Sequence, residues 1–187
     1  MSETIYWSKV KPEAIIPTKR DEDAGYDLYC CFDEDYLIIE PGETKMIGLG
    51  IASAFPQDYV VFLKERGSTA KYGLSVRSGV IDSGYRGEYV LAITNTGIQS
   101  VAITKEGIKL PEVMKKLPPE VNEYGWAPDV LSYGYFPIAD QIYPYEKAIC
   151  QAVVLPLPKL ESKEIPYEQL LEKKSERGTG LMGSSGK

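Results

Sequence analysis

The residues best suited to chemistry lie between Gly79 and Glu88, where the chain reads Gly-Val-Ile-Asp-Ser-Gly-Tyr-Arg-Gly-Glu. This stretch sets a carboxylate, an aromatic ring and a guanidinium beside a turn predicted at Ser83-Gly84. Asp82 could act as a general base or orient a water, and Tyr85 could offer its flat face to a sugar or a base. An Asp beside a turn can also simply cap it through backbone N–H groups. From the residues alone, both interpretations stay open.

A second candidate is Glu65-Arg66-Gly67-Ser68-Thr69, a cation followed by a glycine and two hydroxyls. A guanidinium can bind two phosphate oxygens while backbone N–H groups and a serine donate to others. The plainer interpretation is a loop in which Ser68 or Thr69 caps a short helix. The segment therefore indicates either an anion site or a helix start.

The elements that position these residues are predicted to be strands. Turn signals recur every eight to twelve residues between short β-branched or aromatic runs, which indicates an all-β barrel or sandwich. We predict an antiparallel hairpin of 74–81 with 89–94, which would carry Asp82 and Tyr85 near its tip. The other predicted strands are Tyr36–Ile39, 44–54, Tyr59–Lys64 and 148–155, and the predicted helices are 111–117 and 166–174.

The first stretch resembles the third motif of the trimeric dUTPases, Gly-Val-Ile-Asp-x-x-Tyr-Arg-Gly-Glu. Other segments are similar to the remaining family motifs in the family's order. They are Ala24-Gly25-Tyr26-Asp27-Leu28 (first), Arg66-Gly67-Ser68 (second), Ile149 with Gln151 (fourth) and the glycine-rich 177–186 (fifth). The resemblance covers 23–97 and 148–186. It implies a jelly-roll-like, distorted β-barrel, a homotrimer with sites where motifs of different chains meet, and Mg²⁺-dependent hydrolysis of dUTP to dUMP and pyrophosphate.

The resemblance also implies roles for individual residues. Asp82 would be the catalytic residue that orients the attacking water, Tyr85 would lie under the deoxyribose, and Asp27 would contact Mg²⁺ through water. The implied substrate-binding residues are Arg66, Gly67, Ser68, Gly79, Tyr85, Tyr89, Gln151, Arg177, Met182, Ser184 and Ser185. Among these, Gly79 and Tyr89 would read uracil through the backbone, and Arg177 would clamp the γ-phosphate.

The chain departs from the family pattern at several of these positions. Gly67 replaces a hydroxyl residue, so one phosphate contact would pass to the backbone or to Thr69. Met182 replaces the phenylalanine that stacks on uracil, and a thioether covers a base less rigidly. Residues Glu146-Lys147-Ala148 stand in place of Gly-Asp-Arg. The glycine-rich tail also fits a dinucleotide-binding spacing, but it lacks the strand before it and the helix after it that this motif needs.

We expect residues 1–160 to form the β-barrel and 161–187 to form a C-terminal arm with a lid motif. Within the barrel, residues 98–136 are predicted to be an insertion rich in Pro, Tyr and Trp. Such a segment is either a surface elaboration or an interface for a protein partner.

Composition excludes several classes of function. The 187 residues include no His, which removes Ser–His and Cys–His catalysis and histidine metal sites. The three cysteines have no metal-ligand spacing and are predicted to be reduced, apolar residues. A net charge of −6 with no basic patch argues against nucleic acid as a partner. No apolar run could span a membrane and no signal peptide is visible, so a cytoplasmic location is predicted.

Two other functions stay open from the sequence. Related barrels deaminate dCTP, although the pairing of Asp82 with Tyr85 favours hydrolysis. A regulatory homologue could instead act on a protein partner through residues 98–136.

Overall fold

The computed structural model describes residues 3–77, 79–116, 133–175 and 178–179, with the backbone alone for 113–116 and 133–136. These residues form fourteen strands and two short helices, which confirms the all-β prediction. The strands are β1 Tyr6–Lys9, β2 Gly25–Leu28, β3 Tyr36–Ile39, β4 Thr44–Gly48, β5 Ile51–Ala54, β6 Tyr59–Lys64, β7 Leu74–Val76, β8 Val80–Ile81, β9 Val90–Asn95, β10 Val101–Thr104, β11 Glu112–Lys116, β12 Tyr133–Pro137, β13 Gln141–Pro144 and β14 Cys150–Pro156. The helices are α1 Gly67–Ala70 and α2 Tyr167–Leu171.

The chain divides into two compact units, Met1–Leu157 and Pro158–Lys187. The first unit holds every strand named above and the second holds α2. The predicted domain boundaries at 160 and 161 remain a prediction.

The strands pair in five sheets, ordered β1-β5, β13-β10-β3, β11-β12, β2-β14-β6-β8 and β4-β9-β7. In the described part of the chain none of these sheets closes on itself into a barrel. The apolar faces of the four sheets other than β11-β12 share one core, which includes Leu28, Ile39, Val61, Leu91 and Ile103. Burial of these side chains is the main favourable contribution to folding.

Two predicted strands are each interrupted at a glycine. The run 44–54 divides into β4 and β5 around Gly50, which has φ of +66° and whose added Cβ would lie 2.5 Å from Cys31 Sγ. The run 74–81 divides into β7 and β8 at 77–79. A Cβ at Gly79 would lie 2.7 Å from the Leu63 carbonyl oxygen, so a glycine is needed where β8 approaches β6.

The predicted hairpin of 74–81 with 89–94 is therefore only partly correct. β7 pairs with β9 in antiparallel register, with Val76 opposite Ile93, but β8 pairs with β6, with Ile81 opposite Val61. The chain changes sheets between β7 and β8, so the turn that follows Asp82 joins two different sheets. A sequence pattern shows that strands are present but not which partner each one finds.

The helix predicted at 111–117 is wrong, because residues Glu112–Lys116 form β11 and pair with β12. Pairing with a distant strand outweighed the local helix signal of the proline. The helix predicted at 166–174 is confirmed in shorter form as α2, with Pro166 at its N-cap.

Part of the predicted insertion belongs to the core. β10 is buried along its length and pairs with β3 on one side and β13 on the other. The β11–β12 hairpin pairs with no other sheet in the described residues. We therefore replace the predicted bounds of the insertion, 98–136, by 112–137, from the start of β11 to the end of β12.

The three cysteines are free and buried, as predicted for small apolar residues. Burial raises the pKa of Cys30 to about 12 and also raises the pKa of Cys150, so both thiols stay protonated and unreactive at neutral pH. Among the described residues, no helix has the length and apolar character needed to cross a membrane.

Candidate functional site

Asp82 and Tyr85 line one pocket. It has a volume of about 400 Å³ and is also lined by Gly79, Val80, Ile81, Glu88 and Val90. The Tyr85 N–H donates to the Asp82 carbonyl oxygen at 3.0 Å and closes the turn. The Asp82 carboxylate is exposed and has no hydrogen-bond partner among the described residues. The turn is thus held by the backbone, which leaves the carboxylate available to a ligand.

Glu88 holds this pocket together, and sequence reasoning did not include it in the site. Its carboxylate accepts a hydrogen bond from the Gly50 N–H at 2.8 Å, and its carbonyl accepts one from the Tyr85 hydroxyl at 2.9 Å. Its place in the same motif as Asp82 was the available signal. The second bond fixes the direction of the Tyr85 ring, which is 44 % exposed.

Asp27, Arg66 and Gln151 come together at a different place. Gln151 of β14 lies opposite Asp27 of β2 and opposite Lys64 of β6. Arg66 Nε lies 3.0 Å from Asp27 Oδ1, and the Gln151 amide donates to the Glu65 carbonyl at 2.9 Å. The register of a single sheet therefore brings together three groups that are far apart in sequence: a carboxylate, a guanidinium and an amide.

Glu65 supports this group from the side and was also missed. Its carboxylate accepts hydrogen bonds from the Val76 N–H at 2.7 Å and from the Ser75 hydroxyl at 3.0 Å. Burial opposes ionisation, but the backbone and serine hydrogen bonds lower the pKa of Glu65 below its ordinary value. The charged carboxylate thus ties β7 to the end of β6, just before Arg66.

The two hydroxyls after Arg66 have different environments. Ser68 Oγ is buried and has no hydrogen-bond partner among the described residues. Thr69 is fully buried and donates to the Ile149 carbonyl at 2.8 Å, which disfavours the expected phosphate contact through Thr69. Neither side chain caps α1, whose N-cap residue is Arg66, so the helix-cap interpretation is not supported.

The structure does not support Tyr89 as a substrate-binding residue. Its side chain is fully buried, with its hydroxyl 2.6 Å from Ser53 Oγ. Its N–H donates to the Ile51 carbonyl and its carbonyl accepts from the Leu49 N–H. Burial raises the pKa of the Tyr89 phenol, which keeps it a neutral structural group. We leave Tyr89 out of the proposed site.

Both predicted glycines are placed where a ligand could approach. Gly79 lines the pocket of Asp82, although its carbonyl accepts a hydrogen bond from the Leu63 N–H. Gly67 is exposed and a Cβ there would meet nothing within 4 Å. The remaining predicted residues, Arg177, Met182, Ser184 and Ser185, lie outside the described residues, and their roles remain predictions.

The two groups of residues lie at different points along β6. Val61 is opposite Ile81, and Arg66 follows in extended conformation. At about 3.3 Å per residue these two positions are about 16 Å apart, and Asp82 continues past Ile81 in the opposite direction. Asp82 and Arg66 of one chain therefore do not share a pocket.

Comparison with known proteins identifies the family. The family model described as dUTPase matches residues 11–110, which include Asp27, Arg66 and Asp82. The deoxyuridine 5'-triphosphate nucleotidohydrolase of Nautilia profundicola is 31 % identical over 183 residues, covering 96 % of each chain. That of Cutibacterium acnes is 38 % identical over 99 residues, covering 51 % of this chain and 63 % of its own.

Solved structures share the fold. A mutant of the Staphylococcus bacteriophage 80alpha dUTPase with dUpNHpp has a TM-score of 0.68 at 23 % identity, covering 98 % of this chain and 99 % of its own. A mutant dUTPase from phage phi11 of S. aureus, described with a structural Mg(II) ion, has a TM-score of 0.57 at 24 % identity, covering 87 % and 96 %. Together with the family match and the full-length relative, these findings show that the chain belongs to the dUTPase family.

Proposed function

We propose that this chain hydrolyses dUTP to dUMP and pyrophosphate, with Asp82 as the residue that orients the attacking water. The observation that carries the proposal is the pocket that the Asp82 carboxylate shares with the exposed face of Tyr85; this carboxylate has no hydrogen-bond partner among the described residues. A carboxylate there can accept a proton from water as that water attacks the α-phosphorus. The bond from that phosphorus to the bridging oxygen breaks, and pyrophosphate leaves.

The phosphates would bind at the other group of residues. Arg66 provides a fork of N–H donors, Gln151 provides an amide, and Ser68 provides a buried hydroxyl that has no partner among the described residues. Stabilisation of negative charge is the main catalytic requirement of phosphoryl transfer. Arg177 would add a second guanidinium at the γ-phosphate.

The donor set suits Mg²⁺ only when substrate is present. Within the described residues, no cluster of three or more His, Cys, Asp or Glu could hold a metal ion. Asp27 provides one carboxylate, 3.0 Å from Arg66, and Mg²⁺ commonly binds through one or two carboxylates, several waters and substrate phosphates. We therefore assign Asp27 to a contact through water with an Mg²⁺ carried by the triphosphate. When bound, the ion would neutralise phosphate charge.

We further propose that the active site forms between chains of a homotrimer. Since Asp82 and Arg66 of one chain are about 16 Å or more apart along β6, a complete site needs Asp82 of one copy and Arg66 of another. Val80 is 60 % exposed and Val90 is 40 % exposed at the edge of the Asp82 pocket. A second chain that covers them would also bury this apolar surface.

The function is tested by measuring pyrophosphate release from dUTP, dTTP, dCTP and UTP with Mg²⁺. We expect rapid turnover of dUTP alone; rejection of UTP is the part that we assign to Tyr85, which would exclude a ribose. Ammonia release from dCTP would instead identify a deaminase, and no turnover of dUTP would contradict the proposal. Asp82→Asn removes the proposed water-orienting carboxylate and should abolish this turnover. Arg86→Lys is its matched control, since the Arg86 guanidinium contacts only the carbonyls of its own turn among the described residues.

A second function is favoured by the β11–β12 hairpin, which pairs with no other sheet in the described residues. Phage dUTPases, among them that of phage 80alpha, are described as controlling the transfer of virulence genes. The dUTPase of phage phi11 is described as having a species-specific insert. We propose that residues 112–137 bind a protein partner. A variant with a short linker in place of 112–137 should keep dUTP hydrolysis and lose the partner in a pull-down, whereas retention of the partner would contradict this role.

A further inference from the structure

Helix α1 carries the phosphate-binding residues but has little to hold it in place by itself. It is a single turn of four residues, and its N-cap Arg66 makes no side-chain capping hydrogen bond. A helix this short is not stable in isolation. The position of Arg66 and Ser68 must therefore come from contacts with the rest of the fold.

Those contacts come from two buried hydroxyls. Thr69 Oγ1 donates to the Ile149 carbonyl at 2.8 Å, and the Tyr143 hydroxyl donates to the Ala148 carbonyl at 2.6 Å. The two hydroxyl oxygens lie 3.3 Å from each other. Thr69 and Tyr143 are both fully buried, so water cannot replace either bond. Thr69 lies on α1 and Tyr143 lies on β13. Both hydroxyls bond backbone carbonyls just before β14.

The start of β14 holds the other end of the loop from Glu65 to Thr69. Gln151 follows Ile149 by two residues and donates to the Glu65 carbonyl at 2.9 Å. The loop from Glu65 to Thr69 is thus fastened at one end to Gln151 of β14 and at the other to Ile149, the residue just before that strand. The ring of Tyr143 packs edge-on against Tyr72, with centroids 5.2 Å apart, which fixes where its hydroxyl points.

We propose that Tyr143, acting with Thr69, is a positioning residue for the phosphate-binding half of the site. Its hydroxyl holds the Ala148 carbonyl next to the Ile149 carbonyl that Thr69 bonds. Through this backbone it sets the distance between α1 and Gln151, and so the distance between Arg66 and the amide that would share the phosphates. The proposal rests on the proposed function for the identity of the ligand, but not for the network itself. Neither residue touches the pocket of Asp82.

The clearest variant is Tyr143→Phe, which removes the hydroxyl and keeps the ring. Thr69→Val removes the partner hydroxyl, and Thr69→Ser restores it without the methyl group. Tyr59→Phe is the matched control, because Tyr59 begins β6 at the end away from Arg66 and its hydroxyl bonds Glu3.

Binding distinguishes positioning from a general loss of stability. We expect Tyr143→Phe and Thr69→Val to weaken the binding of dUpNHpp by about fivefold to tenfold. The affinity for deoxyuridine should stay unchanged, since this ligand has no phosphate and depends on the Asp82 pocket. Thr69→Ser and Tyr59→Phe should bind dUpNHpp like the unmodified chain. Equal weakening of both ligands, or no weakening of either, would overturn the proposal.

Amide hydrogen exchange tests the network without any ligand. Tyr143→Phe and Thr69→Val should speed exchange at the N–H groups of Ala70 and Lys71, which bond the carbonyls of Arg66 and Gly67. Exchange at Tyr85 should not change. If the unmodified chain fails to hydrolyse dUTP, the proposed function fails, and this measurement still decides whether Tyr143 holds α1. Unchanged exchange at Ala70 and Lys71 in both variants would refute the positioning role of Tyr143.

Discussion

At the scale of single residues, the sequence was informative about chemical type and less so about burial. Asp82 and Tyr85 were predicted as neighbours in one site, and the structure places them in one pocket. The family resemblance implied that Tyr89 reads uracil through its backbone, yet its N–H and carbonyl bond Ile51 and Leu49, and its hydroxyl bonds Ser53 in the core. Ser53 is distant in sequence, so only tertiary packing reveals that contact.

The carboxylate of Glu88 should stabilise the pocket through the buried N–H of Gly50. Removing it in Glu88→Ala leaves that N–H without a partner, at a cost of about 1–3 kcal/mol in the free energy of unfolding. Glu88→Gln keeps an acceptor oxygen and should cost less. Urea unfolding of both variants measures the difference, and equal stability of Glu88→Ala and the unmodified chain would contradict the assignment.

The lowered pKa of Glu65 predicts a loss of stability in acid. A carboxylate whose pKa is depressed in the folded state stabilises the fold at any pH above its ordinary pKa of 4.5. That stability is lost as the pH falls through the folded-state pKa. We expect Tm to fall less in Glu65→Gln than in the unmodified chain between about pH 5 and about pH 3. Glu22→Gln, in an exposed loop, is the control; identical Tm curves for Glu65→Gln and the unmodified chain would be the contrary result.

At the scale of elements, strands with clear β patterns were predictable, and their partners were not. Tyr36–Ile39 and Tyr59–Lys64 have the same bounds in the structure as in the prediction. The run 44–54 looked continuous because its apolar pattern continues, but packing against Cys31 breaks it at Gly50. Similarly, the strand β11 forms only because a distant strand pairs with it.

Two glycines with positive φ separate backbone strain from packing. Gly42 has φ of +77° and open space around it, whereas Gly50 has φ of +66° and would place a Cβ against Cys31 and Ala14. Gly42→Ala should cost about 1–2 kcal/mol from strain alone, and Gly50→Ala about 3 kcal/mol or more because overpacking adds to it. Denaturant unfolding measures the free energy of unfolding of both variants. A larger loss of stability in Gly42→Ala than in Gly50→Ala would contradict the contribution of packing at Gly50.

At the scale of the whole molecule, our proposal is that a single chain lacks a complete site. Ile81 pairs with Val61, while Arg66 lies beyond the far end of β6. The sequence contains both motifs but cannot show that they lie far apart along β6, because this depends on sheet register. Association of three copies would bring the two ends together and cover Val80 and Val90.

A trimer predicts the mass of the particle in solution. Light scattering should give three times the 20.8 kDa mass of the chain. Replacing the exposed Val80 by Glu would place a charge at the contact and should shift the protein toward monomers with loss of dUTP hydrolysis. Ile98→Glu, at a side chain that is 95 % exposed, is the matched control, and a monomeric unmodified chain that is fully active would contradict the assembly.

The most direct test of a shared site mixes two inactive chains. Asp82→Asn and Arg66→Ala should each hydrolyse dUTP at least about a hundredfold more slowly than the unmodified chain. After the two are unfolded together and refolded at equal concentration, about one quarter of the sites should combine an intact Asp82 with an intact Arg66. Recovery of about one quarter of the unmodified activity is the predicted result. A mixture that stays as inactive as its components, beside an active unmodified chain treated in the same way, would contradict a site built from two chains.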